Sequence, residues 1–251
     1  MNRIYSLLFC LLITACSISP TVTLPPSPQP VSVAFASSLQ PAVEALNSCA
    51  NDHPELALIL DKRPVSSFDL KANDLDLWWG EKPAEVSYAY PLAQDELVVI
   101  LNQVNPNEDL SSNELIALFS GRVQDWDEIS TYQNSVSVWI YPEGNELQVS
   151  IQESALGVKR FSPLAFLAPS PQAMLEAIAN DPGGIGFVPR SWLTPEVIPS
   201  QIDSVMQTTL SKPVLALVRS EPQDVSRILL DCLQNGVGRI ALLDYYSPPN
   251  H

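Results

Sequence analysis

Histidine and positive charge are both scarce in this 251-residue chain, and each shortage excludes a class of function. The only histidines, His53 and His251, cannot supply a His-rich metal centre and leave little basis for a Ser-His-Asp triad. No Gly-x-Ser-x-Gly, Walker or zinc-ligand spacing occurs, and the carboxylates are scattered without a recognisable hydrolase pair. Lysine and arginine number 13 against 28 aspartates and glutamates, a net charge of −15, so no broad surface suits nucleic-acid phosphates or anionic headgroups. A small anion is still admissible. Backbone N–H groups and helix N-termini act locally, whereas salt screens exposed charge beyond about 10 Å. The sequence thus predicts no enzyme, no metal, no cofactor and no nucleic-acid partner.

Long apolar runs are also missing. Residues 4–13, behind the cationic Arg3, form an apolar stretch too short to span a bilayer, which reads as the core of a secretory signal over residues 1–15. Ile13-Thr14-Ala15-Cys16 resembles the lipobox of bacterial lipoproteins, which implies a lipid on Cys16 and an extracytoplasmic chain held at a membrane. Residues 16–30 are proline-rich and uncharged; they cannot build a helix or a core, and read as an extended tether reaching roughly 40 Å at about 3 Å per residue. With Cys10 lost with the signal and Cys16 acylated, Cys49 and Cys232 remain, both in predicted helices.

What is present is a folded domain. Hydrophobic residues make up 46% of the chain, enough for a sizeable core in one large domain or two lobes. Apolar runs at 31–36, 56–60 and 75–79 read as buried strands. The loop Ser37-Ser38 leads into a helix over 39–50, and a second serine loop over 64–67 leads into a short helix. Further strands are expected over 95–101, 136–141 and 213–219, with helices over 171–179 and 225–233. Strands alternating with helices at this spacing predict an α/β fold with mostly parallel sheets. In such sheets ligands sit beyond the carboxyl ends of the strands, where Ser37, Ser66 and Glu81 fall. Ser38 either caps its helix or faces a ligand, and Glu81 is either a ligand acceptor or an exposed acid beside Lys82.

The stretch over 110–129 is the most ordered signal. Ser111 and Glu114 form a capping box, Leu115, Ile116, Leu118 and Phe119 give one apolar face, and Gly121 ends the helix before Asp125-Trp126-Asp127. This segment resembles the one that bacterial phosphate-binding proteins carry in their second lobe. In order along the chain, Ser37-Ser38, Gly80-Glu81, the crossing Asn102-Gln103-Val104-Asn105-Pro106, and Gly183-Gly184-Ile185-Gly186-Phe187-Val188 also match that family, so the resemblance covers about residues 31–240.

The resemblance implies a two-lobed type II periplasmic-binding-protein fold, each lobe a mostly parallel sheet flanked by helices and joined by hinge crossovers. Residues 31–101 with 191–251 would form the first lobe and 102–190 the second. It further implies a monomeric solute-binding lipoprotein of an ABC importer that closes on a small oxyanion and delivers it to a permease, or a sensor on the same scaffold. Ser37, Ser38, Ser66 and Asn145 would donate to the anion, and Glu81 would accept a proton that the anion carries. The family pattern of Ser-Gly-Thr followed by arginine is replaced here by Asn145, Glu146, Leu147 and Gln148. Arg190, the cation expected nearest the cleft, either compensates for the lost arginine or lies on the surface. Gly183, Gly184 and Gly186 suit positive φ and close backbone approach at a hinge. In this fold Cys49 and Cys232 fall in one lobe, as a disulfide or as two buried thiols. Neither offers the cleft thiol that a porphobilinogen-polymerising deaminase on these lobes would need.

Overall fold

The structure, a computed structural model, describes residues 27–69, 72–154, 160–202 and 204–249. The expected signal segment and Cys16, the expected site of lipidation, lie outside the described residues, as does most of the expected tether. Among the described residues no helix is long and apolar enough to cross a membrane.

The run Val31 to Phe35 is apolar except at Ser32, and it forms the strand that the first half of the fold surrounds. β1 (Gln29–Phe35) is buried from Val33 to Phe35. It pairs in parallel with β2 (Leu56–Lys62) on one side and β3 (Leu75–Trp79) on the other. α1 (Val43–Asp52) crosses between β1 and β2. The helix predicted from residue 39 begins later than expected because Pro41 lies in the way. Without an N–H the proline cannot join an α-helical ladder from inside, and Ser37–Ala42 is instead a 3-10 turn that runs into α1. The second serine loop behaves similarly. Val65–Ser67 is itself a 3-10 turn, and no helix follows it among the described residues before β3.

β4 (Tyr88–Asn102) is twice as long as its sequence signal suggested, because two different sheets use it. Tyr88 to Glu96 pairs antiparallel with the returning strand β9 (Ser211–Val218), while Leu97 to Leu101 pairs antiparallel with β7 (Gly184–Pro189). The register slips between Pro91 and Ala93, where proline has no N–H to give to the ladder.

The second half begins with α2 (Ser112–Phe119). Its capping box forms as expected: the Glu114 N–H donates to Ser111 Oγ at 3.3 Å and the Ser111 N–H donates back to the Glu114 carboxylate at 2.8 Å. Leu115, Leu118 and Phe119 are fully buried, each contributing on the order of 2 kcal/mol of hydrophobic stabilisation. Gly121 ends the helix at φ +73°. Trp126 is buried and donates its indole N–H to the Gly183 carbonyl at 3.0 Å, tying the turn to the glycine-rich segment.

β5 (Ser137–Ile140), α3 (Glu146–Ser154), β6 (Phe166–Leu167), α4 (Pro171–Asn180) and β7 (Gly184–Pro189) follow, with β5 parallel to both β6 and β7. Met174, Leu175 and Ile178 of α4 face inward, as the periodicity predicted. The glycines of this segment differ from expectation in their cause: positive φ occurs at Gly80, Gly121 and Gly144, not at residues 183–186. Space is what requires them. A Cβ on Gly183 would lie 1.9 Å from the Ser135 carbonyl oxygen, and one on Gly186 would lie 2.4 Å from Met174 Sδ.

The chain then adds β8 (Val197–Pro199) to β4, passes α5 (Ser204–Leu210), returns along β9 (Ser211–Val218) and closes with α6 (Asp224–Asn235) and α7 (Val237–Leu243). The strand order is β2-β1-β3-β9-β4-β7-β5-β6. Parallel pairs lie toward the two ends, and antiparallel pairs lie at the centre, where β4 and β9 carry the chain out and back. Cys49 of α1 and Cys232 of α6 form a disulfide, which resolves the alternative that the sequence left open.

Candidate functional site

The carboxyl ends of β1, β2 and β5 converge on one cavity of about 490 Å³. From the first half, β1 delivers Ala36 and Ser37, and β2 runs on through Lys62 and Arg63 into Pro64, Val65 and Ser66. The two strand ends stay in register because the Arg63 N–H donates to the Phe35 carbonyl at 3.1 Å. From the second half come Pro142, Glu143, Gly144, Asn145 and Glu146, beyond β5, together with Pro169 and Ser170 at the start of α4.

The turn after β5 is tight. Gly144 has φ +81°, and the Asn145 N–H donates to the Pro142 carbonyl at 3.1 Å. Asn145 then caps α3 with its side chain, its Oδ1 accepting from the N–H groups of Leu147 at 2.9 Å and Gln148 at 3.4 Å. This geometry shows what the residues at these positions do. Leu147 is fully buried, and Gln148, buried behind it, accepts the Tyr141 N–H at 3.0 Å. Both serve the lobe interior and not the cleft.

Ser38 performs a role that neither sequence alternative anticipated. It is fully buried, and its hydroxyl donates at 2.6 Å to the carboxylate of Glu146, the first residue of α3. Its carbonyl accepts the Trp192 indole N–H at 2.7 Å. The Ser38–Glu146 bond therefore joins the two walls of the cavity. A hydroxyl donating to a carboxylate is charge-assisted and stronger than a neutral pair.

Of the residues expected from sequence, the fold brings Ser37, Ser66 and Asn145 to this cavity and sets Ser38 behind it. Glu81 and Arg190 lie elsewhere. Pairing of β3 with β9 continues past Trp79, since the Gly80 N–H donates to the Pro213 carbonyl at 2.9 Å, and this turns Glu81 toward β9. Exposed there, Glu81 shares a second depression of about 630 Å³ with Gln94, Glu96, Gln207, Thr208 and Ser211. The expectation that Arg190 is the cation nearest the cleft is corrected for a similar reason. Antiparallel pairing of β4 with β7 sets Pro189 opposite Leu97, so Arg190 lands beside Glu96 and its Nε donates to that carboxylate at 2.8 Å.

The cations that do line the cavity are Lys62 and Arg63, which sequence reasoning passed over. Their signal was there to read: two adjacent cations between the end of a strand and a serine loop. Arg63 also pairs with Asp61 on its own wall.

One further ionisable group sits where the chain passes between the sheets. Asp95 is buried, its carboxylate accepting from the Ser191 hydroxyl at 2.8 Å, the Ser191 N–H at 3.3 Å and the Glu96 N–H at 2.8 Å. Burial pushes its carboxyl up to about 6, against the opposing effects of the Ser191 and Glu96 hydrogen bonds and of the Arg190 charge. Burial, and next the Asp95 charge, push the nearby Tyr246 phenol well above its ordinary range.

No protein-family model matches this sequence, and no curated protein matches it. Solved structures do match its fold. A candidate phosphate ABC transporter substrate-binding protein from Clostridium perfringens, solved with bound phosphate, is 16% identical with a TM-score of 0.79, over 88% of this chain and 100% of that one. An ABC-type phosphate transport receptor from Vibrio cholerae is 17% identical with a TM-score of 0.69, over 87% and 100%. The CcmR regulatory domain from Synechocystis, in complex with 2-PG, is 16% identical with a TM-score of 0.63, over 82% and 95%. At these identities the likeness is one of fold: the chain has the two-lobed type II periplasmic-binding-protein architecture, a scaffold used by solute-binding and regulatory proteins alike.

Proposed function

We propose that this chain is an extracytoplasmic solute-binding protein of an ABC importer, taking a small solute with an oxyanion group between its lobes and presenting it to a membrane permease. Residues 31–101 with 191–251 form one lobe of this reading and residues 102–190 the other. The signal over 1–15, the lipid on Cys16 and the tether over 16–30 hold it at the membrane as a monomer. No covalent chemistry is involved.

The observation that carries the reading is the cavity at the strand ends, bounded by both halves, with Lys62, Arg63, Ser37 and Ser66 on one wall and Asn145 on the other. Cations and hydroxyls at the carboxyl ends of strands are suited to an anionic group. A second reading, a sensor or interaction protein on the same scaffold, draws on the Ser38–Glu146 bond, because a carboxylate of the protein itself already takes one hydroxyl at the cleft.

Isothermal titration with phosphate, sulfate, molybdate, tungstate, ethylphosphonate, 2-aminoethylphosphonate and taurine, at pH 6 and pH 8, tests the pair. The first reading expects saturable binding of at least one of these, weakened about 100-fold or more when Lys62 and Arg63 are both alanine, since charge-assisted bonds contribute about 1.5–3 kcal/mol each. Silence of the wild type toward all of them refutes it. Binding that emerges only in Glu146→Gln would favour the second.

A further inference from the structure

The two walls of the cleft carry opposite charge. Lys62 and Arg63 line it from the end of β2, and Glu143 and Glu146 line it from the turn after β5. Among the described residues no ion pair joins the walls: Arg63 pairs with Asp61 on its own side, and Glu146 accepts from the Ser38 hydroxyl. Lys62 and Glu143 are both exposed at the cavity, which stays open between them.

A bare inorganic oxyanion fits this arrangement poorly. It would find donors on the first wall but two carboxylates, Glu143 and Glu146, on the second. A like charge held in a partly desolvated cleft disfavours an anion by the same electrostatics through which Lys62 favours it. The volume points the same way, because about 490 Å³ lies within the range of roughly 300–1,000 Å³ that accommodates organic ligands.

We infer that the solute is a small organic zwitterion, its anionic group against Lys62 and Arg63 and its ammonium group against Glu143 and Glu146. This deepens the proposed function and rests on the cleft being a solute site. The two carboxylates then select for the amine and select against the amine-free analogue, so specificity comes from repulsion as much as from attraction.

Matched probes test it on the wild-type protein by isothermal titration: 2-aminoethylphosphonate against ethylphosphonate, taurine against ethanesulfonate, and inorganic phosphate. In at least one pair the amine-bearing member should bind about tenfold tighter or better. Glu143→Gln should cut that advantage to about threefold or less, whereas Lys62→Gln should weaken both members alike. Both substitutions are at exposed positions, and thermal unfolding of each variant checks that the fold is kept. Binding of phosphate or ethylphosphonate with no advantage for the amine overturns the zwitterion inference and leaves the solute-binding reading standing. Silence toward every probe, phosphate included, overturns both.

Discussion

Replacing Cys49 and Cys232 together by alanine removes the cross-link between α1 and α6, and the size of the effect follows from where the bridge lies in the chain. The two cysteines are 183 residues apart, so the bond closes nearly the whole described chain into one loop. Chain-entropy bookkeeping for a loop of that length gives about 17–18 cal/mol/K, or about 5 kcal/mol at 25 °C. The loop contains all of the second half, so the smallest entropic effect would arise if that half stayed folded while the first half opened. Even then on the order of 100 residues of chain remain in the loop, and because the dependence is logarithmic the figure falls only to about 4.7 kcal/mol. Both sulfurs are buried, so two small voids add to the loss. Against a total stability of about 5–15 kcal/mol this is a large fraction. The assay is urea unfolding followed by tryptophan fluorescence and by circular dichroism, for the wild type with and without reductant and for the double variant. The expected result is a loss of about 3–5 kcal/mol in the variant, matched by the reduced wild type. A loss under about 1 kcal/mol, or a wild type indifferent to reductant once unfolded and refolded, would refute the reasoning.

Asp95 sets a pH dependence whose sign can be worked out. Its folded pKa of about 6 lies above the ordinary 3.8, so between those values the folded state holds more proton than the unfolded one. Stability from this group is therefore greatest below about pH 4, falls as pH rises through about 6, and is level above that, a total of about 3 kcal/mol. The charged and titratable neighbours are Arg190, Glu96 and Tyr246, and comparison with Asp95→Asn cancels their contributions. The amide oxygen that this substitution introduces can keep the Glu96 and Ser191 N–H bonds, so urea unfolding at pH 4.5 and pH 7.5 should show the variant gaining on the wild type at the higher pH; an unchanged difference would sink the assignment. Gly183→Ala tests the close approach to Ser135, where a Cβ would stand 1.9 Å from a carbonyl oxygen. A loss of about 2–3 kcal/mol or more in thermal or urea unfolding is expected, and a loss within about 0.5 kcal/mol would show that this contact is not what requires glycine.

Much of the architecture is written in local pattern. The strand over 75–79, the capping box of Ser111 and Glu114, the stop at Gly121 and the inward face of α4 all follow from residue type and spacing within a dozen positions, because each depends on backbone preference or on which side of one element is apolar. The resemblance over residues 31–240 extended that reading to the fold. Local pattern failed where a distant partner decides. β4 runs to Tyr88 because β9, more than a hundred residues later, offers it a ladder, and no property of residues 88–94 announces that.

The site divides along the same line. Residue type and position beyond a strand determined that Ser37, Ser66 and Asn145 gather at a cleft, since the carboxyl ends of strands face one way whatever the packing around them. Which charges share that cleft was decided only by the tertiary structure. The pairing of β3 with β9 carries Glu81 away, and the pairing of β4 with β7 carries Arg190 to Glu96, because register places side chains opposite partners that are remote in sequence. Lys62 and Arg63 face Glu143 and Glu146 for the same physical reason: their elements lie about eighty residues apart, and only the packing of the two halves makes one cavity of their ends.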